Sequence, residues 1–231
     1  MGFNQHTVIS VCRLLAAVLL FSATAGLPLL LVADWQRWVP TPLIEKARQQ
    51  YGVEAAERIR DWQLLMRDSA QLPEAEKLQR INDFFNQAVQ FINDDQHWGQ
   101  VDYWATPYEA LGTHGGDCED YVIAKYYSLQ QLGVDTQKLR ITYVKALRYN
   151  QAHMVLTYFP QPDAVPLVLD NLLPDIRSAA KRPDLAPVYS FNAEGMWLER
   201  MKGKGIRMGN PNKLDLWTDL RIRMNELGMD L

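Results

Sequence analysis

Cysteine is almost absent from this chain: its 231 residues hold two, Cys12 and Cys118. Cys12 lies in an apolar N-terminal segment, so the remainder keeps one thiol and no partner for an internal disulfide. Zinc-ligand spacing is missing too, because one thiol and 4 histidines offer no tetrahedral set. No basic stretch compensates for the formal net charge of -3, which argues against a general nucleic-acid binder. No internal repeat or low-complexity tract occurs, and no dense D-x-D-x-D-G run marks an EF-hand.

What remains is the composition of an ordinary globular domain with a real core, 48% hydrophobic and 22% charged. Its 7 Trp and 10 Tyr point to dense packing with some aromatic groove surface. The N-terminus departs from that average. Leu14 to Val32 carries no charge, and Arg13 is the one full charge before Asp34. Arg13, the apolar Leu14 to Phe21 and the small-residue run Ala23-Thr24-Ala25 have the order of a secretory signal peptide. An uncleaved anchor is the other reading, since the run nearly reaches the ~20 residues a bilayer needs. Gly26 and Pro28 interrupt it and favour cleavage. Either way residues 1–33 are a targeting segment and 34–231 an exported domain, expected in a periplasm. A lone thiol in an oxidising compartment is a candidate reactive group, with an inert buried Cys as its bland alternative.

Trp35 to Pro42 reads as a linker, with Thr41 and Pro42 as N-cap and first helical residue. Ala55, Ile59, Trp62 and Leu65 share one helix face. Leu78, Ile81, Phe85, Ala88 and Ile92 share another after the break at Leu72-Pro73. Both stripes are core. Asn93 to Pro107 reads as a polar, aromatic loop. A Gly-Gly turn then leads into a helix from Cys118 to Leu132, closed by Gly133 as its C′ residue. Beyond it, Leu139 to Leu147, His153 to Phe159 and Pro166 to Asp170 have the residue types of an antiparallel meander. Val188 to Asn192 and Met196 to Glu199 add a hairpin, Lys202 to Asn210 a basic loop, and Leu214 to Leu227 a last helix. Helices first and strands later predict an α+β domain.

The order Cys118, His153, Asp170 has chemical logic. A helix N-terminus favours the thiolate, and its free N–H groups can serve an oxyanion hole. His153 opens one strand and Asp170 ends the next, so antiparallel pairing would bring imidazole and carboxylate to one sheet edge. Against reactivity, Asp117, Glu119 and Asp120 surround Cys118 with negative charge, and a divalent cation is the natural neutraliser. Solvated acids complementing a helix dipole are the alternative. Trp98 and Trp104 are candidates for an oxyanion donor or groove wall, with core packing the simpler reading. His97 and His114 read as surface residues.

Gly115-Gly116-Asp117-Cys118-Glu119-Asp120-Tyr121, Ala152-His153-Met154-Val155, Leu169-Asp170-Asn171 and the upstream Asp102-Tyr103-Trp104-Ala105-Thr106-Pro107 resemble the bacterial transglutaminase-like cysteine proteinases of the LapG type. The resemblance spans about Trp35 to Asn171. It implies a transglutaminase/papain-like core and periplasmic, calcium-dependent endopeptidase activity, with Cys118, His153 and Asp170 as triad. Asp117 and Glu119 would be calcium-binding acids. Because Ca²⁺ takes six to eight oxygens, others must complete the shell. Asp102 ranks first, ahead of Asp94, Asp120 or backbone carbonyls. The implied substrate is a large surface adhesin, cut near its N-terminus within an Ala-Ala-containing sequence to disperse biofilm. The implied inhibitor is an inner-membrane cyclic di-GMP receptor of the LapD type. Transglutaminase or deamidase chemistry through the same thioester, and a non-catalytic envelope interaction domain, stay open as alternatives.

Overall fold

A computed structural model describes residues 38–198, 206–209 and 215–231, all within one compact unit, Trp35–Leu231. The targeting segment expected over residues 1–33 lies outside them, as do parts of the basic loop, 202–205 and 210. Among the described residues no helix is long and apolar enough to cross a membrane.

Three helices open the fold. α1 (Thr41–Tyr51) starts after Pro40, which occupies the N-cap position expected of Thr41. Gly52, at φ 99°, ends it and turns the chain into α2 (Val53–Ser69), a break the apolar stripe did not show. α3 (Glu74–Ala88) follows Pro73. The expected stripes are core: Ala55, Ile59, Trp62, Leu78, Ile81 and Phe85 are buried, while Leu65, Ala88 and Ile92 are half-buried. The expected loop after them contains a short helix, α4 (Asp94–His97). α5 (Pro107–Thr113) begins on a capping box: Thr106 accepts from the Glu109 N–H, and Glu109 accepts from the Thr106 N–H.

Gly115 and Gly116 do not turn. They are extended as β2 and pair in parallel with β1 (Gln90–Phe91). Crowding explains the glycines. A Cβ on Gly115 would lie 2.8 Å from His97 Cε1, and one on Gly116 would lie 2.6 Å from Asp120 Oδ2.

α6 (Cys118–Gln131) is the centre of the molecule, buried almost all round from Glu119 to Leu129. Such a helix shows little amphipathic period, because every face meets protein. α3 packs on one side of it, and β3 (Leu139–Ala146) and β4 (Gln151–Tyr158) on the other. Gly133, at φ 81°, closes it as C′, and the Val134 N–H caps the Leu129 carbonyl.

The sheet is antiparallel throughout, in the order β6-β5-β4-β3-β7-β8-β9. β3 (Leu139–Ala146), β4 (Gln151–Tyr158), β5 (Leu167–Leu169) and β6 (Arg177–Ser178) form the meander. β7 (Leu185–Asn192) then returns to the free edge of β3 and continues into β8 (Gly195–Leu198) and β9 (Ile206–Gly209). β9 occupies part of the expected basic loop. α7 (Asp215–Glu226) buries Trp217, Leu220 and Met224. Its Arg223 reaches the Glu109 carboxylate at 2.7 Å and the Trp104 carbonyl at 2.6 Å, tying the chain end to the entrance of α5. The architecture is the α+β fold expected, helices against one antiparallel sheet.

Candidate active site

β5 is short. It pairs with β4 only from Leu156 to Tyr158, and the chain leaves the sheet at Asp170. This peels the strand away where His153 and Met154 stand, leaving the upper part of β4 open to α6. There the Met154 backbone N–H lies close enough to the Cys118 sulfur to favour the thiolate. His153 Nε2 and Asp170 Oδ1 are 2.8 Å apart, both side chains nearly free of solvent. The second Asp170 oxygen accepts from Arg182 Nη2 at 2.8 Å, and the Leu172 N–H adds a bond of 3.0 Å to Oδ1. Burial alone would raise the Asp170 pKa. The donors from His153, Arg182 and Leu172 outweigh burial and hold it below its usual value.

The Cys118 thiol itself donates to Glu119 Oε2 at 2.9 Å. Burial, then the charges of Glu119 and Asp117, push its pKa well above the ordinary thiol value, although the Met154 N–H opposes them. Without a counterion this thiol is held protonated.

The acids around it are crowded. Oxygens of Asp94, Asp102 and Glu119 lie within 4.8 Å of one another; so do those of Asp94, Asp117 and Asp120. Burial and mutual repulsion raise the pKa values of Asp117, Glu119, Asp120 and Asp94. Asp94 Oδ1 and Asp117 Oδ1 are buried without a hydrogen-bond partner. Such orphaned carboxyl oxygens are costly alone and fit a hard divalent cation. Asp102 is solvent-exposed at the rim of this cluster. Asp120 is committed elsewhere, since its two oxygens accept the Ala105 N–H at 2.7 Å and the Asp117 N–H at 3.1 Å. Asp94 is the acid that belongs to both groups. Its burial follows from α4, a helix too short for periodicity to reveal.

Other candidates separate. Trp104 is buried and stacks on Phe191 with ring planes 11° apart, a core residue. Trp98 packs between His97 and Tyr103, its Nε1 buried and unpaired. His97 and His114 are half-buried rather than superficial. His97 Nε2 meets Thr113 Oγ1 at 2.8 Å, and His114, left-handed at the end of α5, meets the Ala88 carbonyl at 2.9 Å. Arg182 and Lys125 had no signal: Lys181-Arg182-Pro183-Asp184 looks like a surface turn, and Lys125 is one lysine within a helix.

Residues 56–191 match the family of bacterial transglutaminase-like cysteine proteinases. The chain belongs to that family, whose name carries a cysteine proteinase activity on a transglutaminase-like fold. Among solved structures it is similar to Legionella pneumophila LapG, at 41% identity and a TM-score of 0.70, covering 80% of this chain and 97% of that one. The EGTA-treated form of LapG matches at 40% identity and TM-score 0.70, and the calcium-bound form at 41% and 0.68. No curated protein matches.

Proposed function

We propose that this chain is an exported, calcium-dependent cysteine endopeptidase with Cys118 as nucleophile, His153 as acid and base, and Asp170 as orienter. The observation that carries the reading is the buried His153–Asp170 pair, with a helix-start thiol near the backbone of the next residue, Met154. Asp170 occupies Nε2, which leaves Nδ1 as the nitrogen to serve the sulfur.

In this scheme Cys118 passes its proton to His153 and attacks the scissile carbonyl carbon. Collapse of the tetrahedral intermediate breaks the C–N bond as His153 returns the proton to the leaving amine. Water, deprotonated by His153, then hydrolyses the thioester. Asp94, Asp102, Asp117 and Glu119 would hold the calcium ion. When bound it would supply positive charge that offsets these carboxylates beside the sulfur. The solved calcium-bound form of LapG supports the choice of metal. Family likeness supports the substrate, an adhesin cut near its N-terminus at an Ala-Ala-containing site, and control by a cyclic di-GMP receptor.

Mass spectrometry of candidate adhesin N-terminal fragments tests this. Wild type with calcium is expected to yield two products at one bond. Cys118→Ala, chelator, Asp117→Ala and Glu119→Ala are each expected to abolish them. Cleavage by the purified Cys118→Ala protein would refute the nucleophile, and full activity in excess chelator would remove calcium. Incorporation of a labelled amine into a glutamine peptide, without hydrolysis, would reassign the chemistry to acyl transfer.

A further inference from the structure

The loop between β6 and β7 places a guanidinium against the acid of the proposed triad. Arg182 Nη2 meets Asp170 Oδ2 at 2.8 Å, with side-chain exposures of 2% and 0%. The arginine is itself clamped by Asp184. Its Nε lies 3.0 and 3.2 Å from the two Asp184 oxygens, and Nη2 lies 2.8 Å from Oδ2. Desolvating a cation is expensive unless it is paired. Besides Asp184, its partner is the carboxylate that holds His153.

We infer that Arg182 is a positioning residue for the Cys118–His153–Asp170 reaction: its bond to Oδ2 fixes the Asp170 carboxylate so that Oδ1 faces His153 Nε2. The inference rests on the triad reading of the preceding section. Its geometric basis is that each carboxylate oxygen is assigned. Oδ1 takes His153 and the Leu172 N–H, and Oδ2 takes Arg182. The Asp170 backbone is pinned independently, its carbonyl accepting from Asn86 at 2.9 Å and from Lys125 at 3.3 Å. Rotation of the carboxylate about its own bond is the remaining freedom, which Arg182 on Oδ2 restrains together with the Leu172 N–H on Oδ1. Without it, Oδ2 would be a buried oxygen with no donor.

Arg182→Met keeps an unbranched stem of similar bulk and removes the donors; Arg182→Lys restores one donor. With calcium and a fluorogenic peptide built around Ala-Ala, Arg182→Met is expected to lose roughly ten- to a hundredfold in kcat, with KM nearly unchanged. Arg182→Lys is expected to recover part of that loss. A second readout does not depend on catalysis. In protein labelled with ¹⁵N-histidine, the His153 Nε2–H proton, assigned by its disappearance in His153→Gln, reports the bond to Asp170. It is expected to move upfield or broaden in Arg182→Met and to return in Arg182→Lys. An unchanged resonance together with unchanged kcat in Arg182→Met would overturn the inference. So would an equal loss in the Lys and Met variants with the resonance intact. Should Arg182→Met fail to fold, Arg182→Lys and Asp184→Asn decide through the same resonance, an unshifted signal in both counting against the role. If Asp170→Asn leaves cleavage untouched, it is the triad reading that has failed, and the resonance still judges the clamp.

Discussion

Lys125 shows how much a single buried side chain can tie together. It sits two turns beyond Cys118 on α6, entirely buried, with Nζ on Asn82 Oδ1 at 3.0 Å, Asn86 Oδ1 at 2.7 Å and the Asp170 carbonyl at 3.3 Å. One amine thus joins α3, α6 and the end of β5. Burial lowers its pKa to about 7, against the opposing pull of Asp170 and Asp83. The folded value is below the unfolded one, so between about 7 and 10.5 the unfolded chain holds a proton that the folded protein has lost. Stability from this group therefore rises with pH across that window. Urea unfolding at pH 7 and pH 9.5 should show wild type gaining relative to Lys125→Met on the alkaline side. A constant difference would mean that the amine does not change its charge on folding.

At the scale of elements, the entry to α6 depends on the fit between β2 and the helix's first turn. Asp120, the third residue of the helix, accepts the N–H groups of Ala105 and Asp117, and Gly116 lies flat against its carboxylate. In Gly116→Ala the new methyl would meet Oδ2 at 2.6 Å, where the neighbour is a committed hydrogen-bond acceptor with little room to give. A loss of about 1–3 kcal/mol is expected, the usual cost of overpacking, together with a larger fall in cleavage as Cys118 is displaced. Thermal melts and peptide turnover check both. A variant with wild-type melting and turnover would show that the turn yields freely. Gly52 behaves differently, with open space where a Cβ would go, so its φ of 99° rather than crowding is what selects glycine.

For the whole molecule, the acid cluster links stability to pH and, under the proposed function, to calcium. The folded pKa values of Asp117, Glu119, Asp120 and Asp94 are raised above the unfolded ones. In metal-free protein the folded state then binds more protons than the unfolded chain above the ordinary carboxylate range, and stability falls as pH rises. Under the proposed function calcium would compete with those protons for the same oxygens, so its stabilisation should grow in the opposite direction. Melting temperatures measured with excess calcium and with chelator should differ more at pH 8 than at pH 5. An increment equal at both values would place the metal elsewhere.

Much of this architecture follows from local signals. The apolar stripes of α2 and α3, the start of α6 at Cys118 with its end at Gly133, and the β-rich runs of β3 to β5 each rest on residues a few positions apart. The α+β class follows from their order. Tertiary structure alone decided the rest. It sent β7 back to the free edge of β3, because a strand's residues record that it pairs and not with which neighbour. It made Gly115 and Gly116 a crowded strand instead of a turn, since the atoms they must avoid belong to His97, Ile92 and Asp120. It brought Asp94 within 4.8 Å of Asp117 and Glu119, turned the thiol toward Glu119, and buried Arg182 and Lys125 around Asp170. Charged residues in a sequence look alike whether they face water or another charge. Only the folded distances distinguish them.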